Sequence, residues 1–258
     1  MTREEELFQR RLLDLADTAW QRNIITYTDF LNLNEQNIYH DTIRQLSFLE
    51  SRAFGGYEYA ERQMIAFIPD ALLTVLEDQD QRPPYPISCI RISPLNAKFS
   101  DTLSHRDYLG SLMNLGIDRS KTGDIVIQEN CAYLFCQEKI AEYLCRELTR
   151  IRHTTVNCQE CSLEEIHYQP KFLQVTGTVA SVRLDALLSL AFNTSRSSLV
   201  GLIEGGKTFV NGRMTTSNGY RLKDGDMISV RGYGRFRFCE VVSATRKGRY
   251  LVRIEKYV

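Results

Sequence analysis

The chain has 258 residues, of which 43% are hydrophobic, enough for the cores of two or three ordinary domains. No apolar run approaches the roughly 18 residues that cross a membrane, and the start MTREEELFQRR is too charged for a secretory signal, so we expect a cytoplasmic protein. The seven cysteines, an odd number scattered along the chain, favour reduced thiols over a disulfide framework.

The overall balance of 32 basic and 32 acidic residues hides an asymmetry along the chain. Residues 1–170 carry 17 Lys/Arg and 26 Asp/Glu, a net charge of −9, whereas residues 171–258 carry 15 and 6, a net charge of +9. A basic module usually binds a polyanion. The alternative is a solvated basic face, and charge alone does not decide between the two.

The first 55 residues are predicted to be helical. EEELFQRRLLDLADTAW has an apolar stripe at helical spacing, and TDFLNLNEQNIYHDTIRQL follows a Thr-Asp pair that is typical of a helix start. FGGYEYAERQMIAFIPD then predicts a turn and a strand that ends at Pro69, and the polar, proline-rich EDQDQRPPYP indicates a boundary. We therefore expect a mainly helical N-terminal region over residues 1–80.

The next segment predicts the element order β-α-β-β-α-β. Its strands are YPISCIRIS, GDIVIQEN, CAYLFCQ and TTVNCQ, and its helices are SHRDYLGSLMNLG, from a Ser104 cap to a Gly116 stop, and EKIAEYLCRELTRI. This is the ferredoxin-like order that the RNA-recognition (RRM) fold shares. Residues 81–168 are therefore predicted to be an RRM-like domain of ferredoxin fold.

An RNA-recognition sheet stacks bases on aromatic side chains of its first and third strands. Here the third strand offers Tyr133 and Phe135, and ISCIRI in the first strand offers none. If this domain contacts RNA, we expect it to do so without that stacking platform.

Two further patterns in this half of the chain resemble functional motifs: a His-Arg-Asp triplet that resembles a catalytic loop, and a pair of cysteines that resembles a metal site. HRD at His105-Arg106-Asp107 resembles part of a protein-kinase catalytic loop, but the asparagine expected five residues after the aspartate is Leu112. No Ser/His/Asp set, pair of carboxylates or G-x-G-x-x-G loop supports catalysis.

Cys158 and Cys161 form a single C-x-x-C, with His153 and His167 nearby. The four side chains are enough in number for a four-ligand zinc site. One pair with irregular histidine spacing favours ordinary thiols instead. We expect no metal.

GLIEGGKT at residues 201–208 matches the phosphate-loop pattern G-x-x-x-x-G-K-[ST] at every required position. A phosphate loop follows a buried strand and opens a helix at its lysine. Here SRSSLVGLIEGG has helical spacing from a Ser195 cap, and TFVNGRM after it is β-rich. Gly205 and Gly206 are then left-handed helix caps, so we expect no nucleotide site and no cofactor.

The C-terminal segment predicts a helix with Leu184, Leu187, Leu188 and Ala191 on one face, a second helix, a strand, an Asn-Gly turn and a strand DMISV. In order, it contains Arg183-Leu184-Asp185 with Leu188, Ser195-Arg196, Ile203 with Gly206, Phe209-Val210-Asn211-Gly212, and Gly225-Asp226 with Ile228. These residues closely resemble the small RNA-binding domain first described in the fourth protein of the ribosomal small subunit. Its pattern is R-L-D-x-x-L, S-R, I-x-x-G-x-V-x-V-N-G and x-G-D-x-I, from which Thr208-Phe209 departs.

The resemblance implies a small C-terminal α/β domain over residues 175–258, in which a helix pair presents basic side chains to structured RNA. By position it assigns phosphate contacts to Arg183, Arg196, Lys207, Arg213 and Arg221, and the predicted RNA contacts also include Ser195 and Asn211.

Beyond the core of this domain, RGYGRFRFCEVVSATRKGRYLVRIEKYV interleaves basic residues with Tyr233, Phe236, Phe238 and Tyr250. The alternation predicts strands that bury these aromatic residues and expose the cations, which adds Arg231, Arg235 and Arg237 to the predicted RNA contacts. Free aromatic rings that stack on bases are the alternative.

RGYGRF, LSHRDYLGSLMNLGIDRSKTGDIVI and the terminal position of the RNA-binding domain together resemble the YlmH family of bacterial RNA-binding proteins, over nearly the whole chain. The resemblance implies a non-enzymatic, cytoplasmic protein that binds ribosomal or transfer RNA on the large ribosomal subunit, in translation quality control or rescue, or with a link to cell-division genes. We expect no membrane partner and no preference for DNA. The alternative is an RNA-modifying enzyme of the pseudouridine-synthase or RNA-methyltransferase type, whose signature motifs residues 1–170 do not show.

Overall fold

The computed structural model describes residues 2–45, 49–78, 81–96, 100–129, 131–163, 171–245 and 248–257. The chain is of mixed α+β class and divides into two compact units, Met1–Tyr168 and Gln169–Val258, called here the N-terminal and the C-terminal unit. Across the described ranges, no helix is both long enough and apolar enough to span a membrane.

The N-terminal unit begins with three helices and a small antiparallel sheet, of strand order β1-β3-β2. The elements are α1 (Arg3–Arg22), β1 (Thr26–Tyr27), α2 (Leu33–Thr42), β2 (Glu50–Phe54), β3 (Met64–Ile68) and α3 (Asp70–Asp78), with a 3-10 turn at Ile43–Gln45. Thr2 and Glu5 form a capping box at the start of α1, whose first turn is acidic, as the helix dipole favours. Leu12 and Ala16 of α1 pack with Ile65 and Phe67 of β3 in one core.

The prediction of helix throughout the first 55 residues is wrong at strands β1 and β2 and at the start of α2. Strand β2 pairs antiparallel with β3, and the residue spacing within β2 does not predict this pairing. Helix α2 begins at Leu33, because Asn32 accepts from the Asn34 and Glu35 amides. The Thr-Asp pair does not start this helix, since the Thr28 hydroxyl instead accepts from an amide of β3.

The second part of this unit has the predicted ferredoxin-like order. Its elements are β4 (Ile87–Pro94), α4 (His105–Asn114), β5 (Thr122–Gln128), β6 (Cys131–Gln137), α5 (Glu138–Glu147), β7 (Arg150–Ile151) and β8 (Thr154–Cys161). The antiparallel sheet has the order β5-β6-β4-β8-β7, in which the two-residue β7 is an addition to the four ferredoxin-like strands. Ser104 caps α4 in a capping box, and Gly116 follows it at φ 75°, both as predicted.

One face of this five-stranded sheet is covered by helices, and the other is covered in part, since Arg91, Asn157 and Gln159 on it are exposed. One face packs against α4 and α5 around Ile90 and Leu134. On the other face Phe135, which is fully buried, lies in a cluster with Phe30, and the ring of Tyr57 stacks on it at 4.8 Å. The RRM-like sheet therefore exposes no aromatic ring at Phe135 on which a base could stack.

A half-buried arginine joins the helical part of the N-terminal unit to its ferredoxin-like part. The guanidinium of Arg62 donates to the carbonyl oxygens of Phe30 at 2.8 Å, Thr122 at 3.0 Å and Arg119 at 3.1 Å. The carboxylate of Asp124 accepts from the amide of Arg62 at 3.1 Å. One side chain thus bonds to backbone acceptors from two separate parts of the chain, at Phe30 and at residues 119–122.

The C-terminal unit consists of a six-stranded antiparallel sheet and two helices. Its elements are β9 (Phe172–Val179), α6 (Leu184–Phe192), α7 (Arg196–Glu204), β10 (Thr208–Val210), β11 (Arg213–Met214), β12 (Met227–Val230), β13 (Gly234–Ala244) and β14 (Tyr250–Tyr257). The strand order is β11-β10-β12-β13-β14-β9. Helix α6 buries the predicted stripe of Leu184, Leu187, Leu188 and Ala191 against this sheet.

The GLIEGGKT segment runs from helix to strand, the reverse of a phosphate loop. Ser195 caps α7, whose last residue is Glu204, and β10 begins at Thr208. Gly206 adopts the left-handed conformation at φ 67°, whereas Gly205 has φ −80°, so only one of the two predicted left-handed caps is present. Lys207 therefore follows the end of a helix and does not begin one.

We expect no ATP binding, because no helix begins at Lys207 to bind a phosphate. Isothermal titration of the full chain with Mg-ATP should give no heat of binding. Micromolar affinity that is lost in Lys207→Ala would contradict this expectation.

Substituting Arg62 by Leu should lower the free energy of unfolding of the N-terminal unit by about 2–4 kcal/mol, because it removes three hydrogen bonds from a charged donor to backbone carbonyls. Urea unfolding followed by the fluorescence of Trp20, the single tryptophan, measures this. Arg10→Leu on exposed α1 surface is the matched control, and should change stability by less than about 0.5 kcal/mol. Equal losses in both variants would mean that the three hydrogen bonds contribute nothing.

Candidate nucleic-acid interface

A buried carboxylate holds two arginines at the N-terminal ends of α6 and α7. Asp185 is 7% exposed, and Arg183 donates to its two oxygens from Nε at 3.1 Å and from Nη2 at 3.3 Å. The Nη1 atom of Arg196 lies 3.9 Å from the same carboxylate. The arginine side chains stay 44% and 49% exposed, so their free N–H groups can reach a ligand.

The backbone of Arg221 forms an isolated antiparallel bridge with that of Arg183, which places the two residues side by side. Arg183, Arg196 and Arg221 are called here the arginine cluster. The loop before Arg221 covers the start of α6, since the amides of Leu184 and Asp185 donate to the carbonyls of Tyr220 and Asn218.

The start of α7 is uncovered by comparison: residues 195–198 are all exposed. A helix N-terminus attracts anions through its free amides and its dipole. Ser195 contributes by shaping this end, since its hydroxyl accepts from the amide of Ser198 at 3.3 Å. The arginine cluster and the α7 N-terminus together form a compact cationic surface.

Lys207 and Arg231 lie at the opposite end of α7. The amide of Arg231 donates to the carbonyl of Lys207 at 2.9 Å, and both residues are exposed. Because α7 has nine residues, its two ends are separated by about 12 Å along the axis. The structure therefore does not bring these two cations to the arginine cluster.

Asn211 lies in the turn between β10 and β11, and Arg213 is the first residue of β11. The Nδ2 atom of Asn211 donates to Asp226 at 2.9 Å, its Oδ1 atom accepts from the amide of Met227 at 2.8 Å, and its φ is 51°. Both polar atoms of the Asn211 side-chain amide thus form hydrogen bonds within the fold. Arg213 is half-buried opposite Val210 of β10.

Arg235 and Arg237 lie on the face of the sheet away from α6 and α7. Their neighbours Phe236 and Phe238 are buried in the core with the helices, as predicted, and alternate strand residues point to opposite faces. The prediction was wrong for the two tyrosines, because Tyr233 is 45% exposed and Tyr250 is 40% exposed.

Three family models match the chain, in sequence order. The YlmH N-terminal model matches residues 4–72, the YlmH RNA-binding-domain model matches residues 82–165, and the S4-domain model matches residues 182–228. The chain belongs to the YlmH family.

Individual relatives agree with the family assignment. The "Ribosome-associated protein quality control protein P2" of Bacillus subtilis (strain 168) is 27% identical over 259 residues, which cover 98% of this chain and 96% of that protein. Among solved structures, "Cell division protein ylmH from Streptococcus pneumoniae" matches 64% of this chain and 95% of its own, with a TM-score of 0.50 and 20% identity. The similarity to the Streptococcus pneumoniae structure is a similarity of fold.

In this YlmH chain, the two patterns of the N-terminal unit have structural roles. Asp107 accepts from the amide and hydroxyl of Ser104 at the start of α4, and pairs with Arg152 at 3.5 Å. Cys158 and Cys161 lie three residues apart on β8 and belong to the clusters on opposite faces of the sheet, so they cannot ligate one ion.

The thiols are also poor metal ligands. Burial raises the pKa of Cys158 to about 12, which keeps it protonated at neutral pH. All seven cysteines are free. Among the described residues, no three His, Cys, Asp or Glu side chains are grouped to hold a metal, and His167 lies outside those residues.

Sequence reasoning did not single out Phe172 and Tyr257, which lie with Arg235 and Arg237 on the face of the sheet away from α6 and α7. The signal was the alternation of LVRIEKY, in which Val252 and Ile254 are buried and the residues between them point the other way. The partners across the sheet, which make these residues one surface, are not visible in that segment alone.

Substituting Asn211 should affect the fold and not RNA binding. Asn211→Gly, which keeps the left-handed backbone, should lower the free energy of unfolding by about 1–2 kcal/mol through two lost hydrogen bonds. Asn211→Ala should lose about 1 kcal/mol more from backbone strain. Calorimetry measures stability, and a salt titration of RNA affinity should keep its slope; a flatter slope in Asn211→Gly would show a phosphate contact instead.

Proposed function

We propose that this protein binds structured RNA through the arginine cluster and the N-terminus of α7, and that it acts on the ribosome without catalysing a reaction. The observation that carries the proposal is the pair of half-exposed guanidinium groups of Arg183 and Arg196, held on buried Asp185 beside an exposed helix start. A guanidinium offers several N–H donors in a planar fork, which matches phosphate oxygens.

Charge supports an RNA ligand for this unit. Residues 171–258 carry a net charge of +9, and neutralising phosphates releases the counterions condensed around RNA. Residues 1–170 carry −9, so they repel a polyanion and are suited to position the basic unit or to contact a protein partner.

The comparisons support the ribosomal setting. The Bacillus subtilis relative is named as a ribosome-associated quality-control protein, and its similarity extends over nearly the whole of both chains. Ribosomal and transfer RNA both present the structured backbone that phosphate contacts recognise. The proposed setting is therefore translation quality control or rescue on the large ribosomal subunit, in the cytoplasm.

We also propose three functional segments, residues 1–80, 81–168 and 175–258. The ranges of the three family models, 4–72, 82–165 and 182–228, support this division. The first two segments would then act as one body, since they form one compact unit, and the third would carry the RNA contacts.

Arg196→Ala should weaken binding to structured RNA regardless of its sequence, because the contact is to phosphate. The slope of log affinity against log salt should become shallower by roughly 0.7–0.9, the contribution of one phosphate contact. Fluorescence anisotropy of the full chain with a labelled RNA hairpin, repeated across salt concentrations, measures this slope.

Arg10→Ala, the same change of charge in exposed α1, is the control and should leave the slope unchanged. Arg196→Ala should also melt at nearly the wild-type temperature, because its side chain is half-exposed. A lowered melting temperature with an unchanged RNA slope would place Arg196 in the fold and the RNA on another surface.

A further inference from the structure

Two cysteines face each other across neighbouring strands of the five-stranded sheet. Cys89 of β4 and Cys161 of β8 are direct partners in the antiparallel register. Residues directly opposite each other in such a pair have Cα atoms about 4.5–5.5 Å apart, which lies within the range that a disulfide needs. Among the described strands, the register brings no other two cysteines opposite each other.

The two side chains also lie close together on one face of the sheet. The thiol of Cys161 donates to the carbonyl oxygen of Cys89 at 3.6 Å, and both side chains belong to the cluster around Phe30 and Phe135. The pKa of the Cys89 thiol is raised, first by burial and then by the charge that Cys161 carries when it ionises. The backbone therefore already has the spacing of a disulfide, and only side-chain torsions need to change.

The two thiols differ in their access to solvent. Cys161 is half-buried at the end of β8, whereas Cys89 is 0% exposed. A small oxidant dissolved in water therefore reaches Cys161 first. Once one thiol is oxidised to a sulfenic acid, a neighbouring thiol can react with it inside the protein.

We propose that Cys89 and Cys161 form a reversible cross-strand disulfide when the protein is exposed to a peroxide. The Cys161 thiolate attacks one peroxide oxygen, the O–O bond breaks, and Cys161 becomes a sulfenic acid. The sulfur of Cys89 then attacks that of Cys161, and the S–O bond breaks. The hydroxyl group leaves as water with the proton of Cys89.

The reaction is balanced without any further reactant. Each thiol gives up one electron and one proton, and hydrogen peroxide becomes two molecules of water. A dithiol reductant reverses the reaction by thiol–disulfide exchange.

The disulfide would connect β4 to the end of β8, the last described element of the N-terminal unit. It would close the chain between residues 89 and 161, which restricts the unfolded state. We therefore expect the oxidised N-terminal unit to unfold at a higher urea concentration than the reduced one. This inference is independent of the proposed RNA binding, because the arginine cluster lies in the other unit, and oxidation should leave the affinity for an RNA hairpin unchanged.

The experiment counts thiols in the full chain after treatment with hydrogen peroxide. The protein is unfolded in guanidinium with an alkylating reagent and analysed by mass spectrometry. The wild type should lose two of its seven alkylatable thiols and yield a peptide pair linked through Cys89 and Cys161. Reduction with dithiothreitol before alkylation should restore both thiols.

Cys161→Ser should form no linked pair, and Cys161→Ala tests the same bond without adding a hydroxyl group. Cys239→Ser is the matched control, because Cys239 is also half-buried but lies on β13, and this variant should still lose two thiols. Urea unfolding of both Cys161 variants should match that of the reduced wild type, which shows that they fold.

Three results would overturn the inference. The first is a treated wild type that keeps all seven thiols. The second is a sulfinic acid on Cys161 while Cys89 is still alkylated. The third is a linked pair that persists in both Cys161 variants or that joins two chains.

Discussion

Burial of Phe236 and Phe238 against the helices is the contact on which both faces of the C-terminal sheet depend. The ring of Phe236 meets that of Phe192 in α6 edge to face at 5.9 Å, and each buried Phe contributes about 1.5–3 kcal/mol. Because strand residues alternate between faces, this burial places Arg235 and Arg237 on the other side. A slip of one residue would bury both arginines in the core, at a desolvation cost that excludes it.

The arginine cluster contains a negative charge, which at first opposes the binding of phosphate. Asp185 is almost fully buried, and a buried carboxylate must be paired to be tolerated. Arg183 supplies two hydrogen bonds to it, and Arg196 approaches the same group from the neighbouring helix. The carboxylate thus holds two flexible side chains near one position, which reduces the entropy that each would lose when RNA binds.

The N-terminal unit shows why a fold does not define a binding surface. Its five-stranded sheet has the strand order of RNA-recognition domains, yet Tyr57 stacks on Phe135, where such a domain would bind bases. Arg62 then ties this part to the helical part through three backbone carbonyls. The base-stacking surface of an RNA-recognition domain is therefore absent at Phe135, and the net charge of residues 1–170 is −9.

Local signals in the sequence were sufficient for α6, α7, the left-handed Gly206 and the ferredoxin-like order. These features depend on helical spacing, caps and turns that lie within a few residues of one another. The resemblance to the domain of the fourth ribosomal small-subunit protein also identified Arg183 and Arg196 as expected phosphate contacts. It determined which residues are basic and which elements carry them, and hence that the C-terminal unit is the cationic one.

Only the tertiary structure decided where those side chains meet. It separated the ten predicted RNA contacts between the arginine cluster with the α7 N-terminus, the far end of α7, the β10–β11 hairpin and the sheet face away from the helices. It also showed that the amide of Asn211 is bound to Asp226, fifteen residues away, and that residues 50–54 form a strand because β3 lies beside them. Pairing between strands distant in sequence determines each of these outcomes, and no local pattern encodes which partner a strand will find.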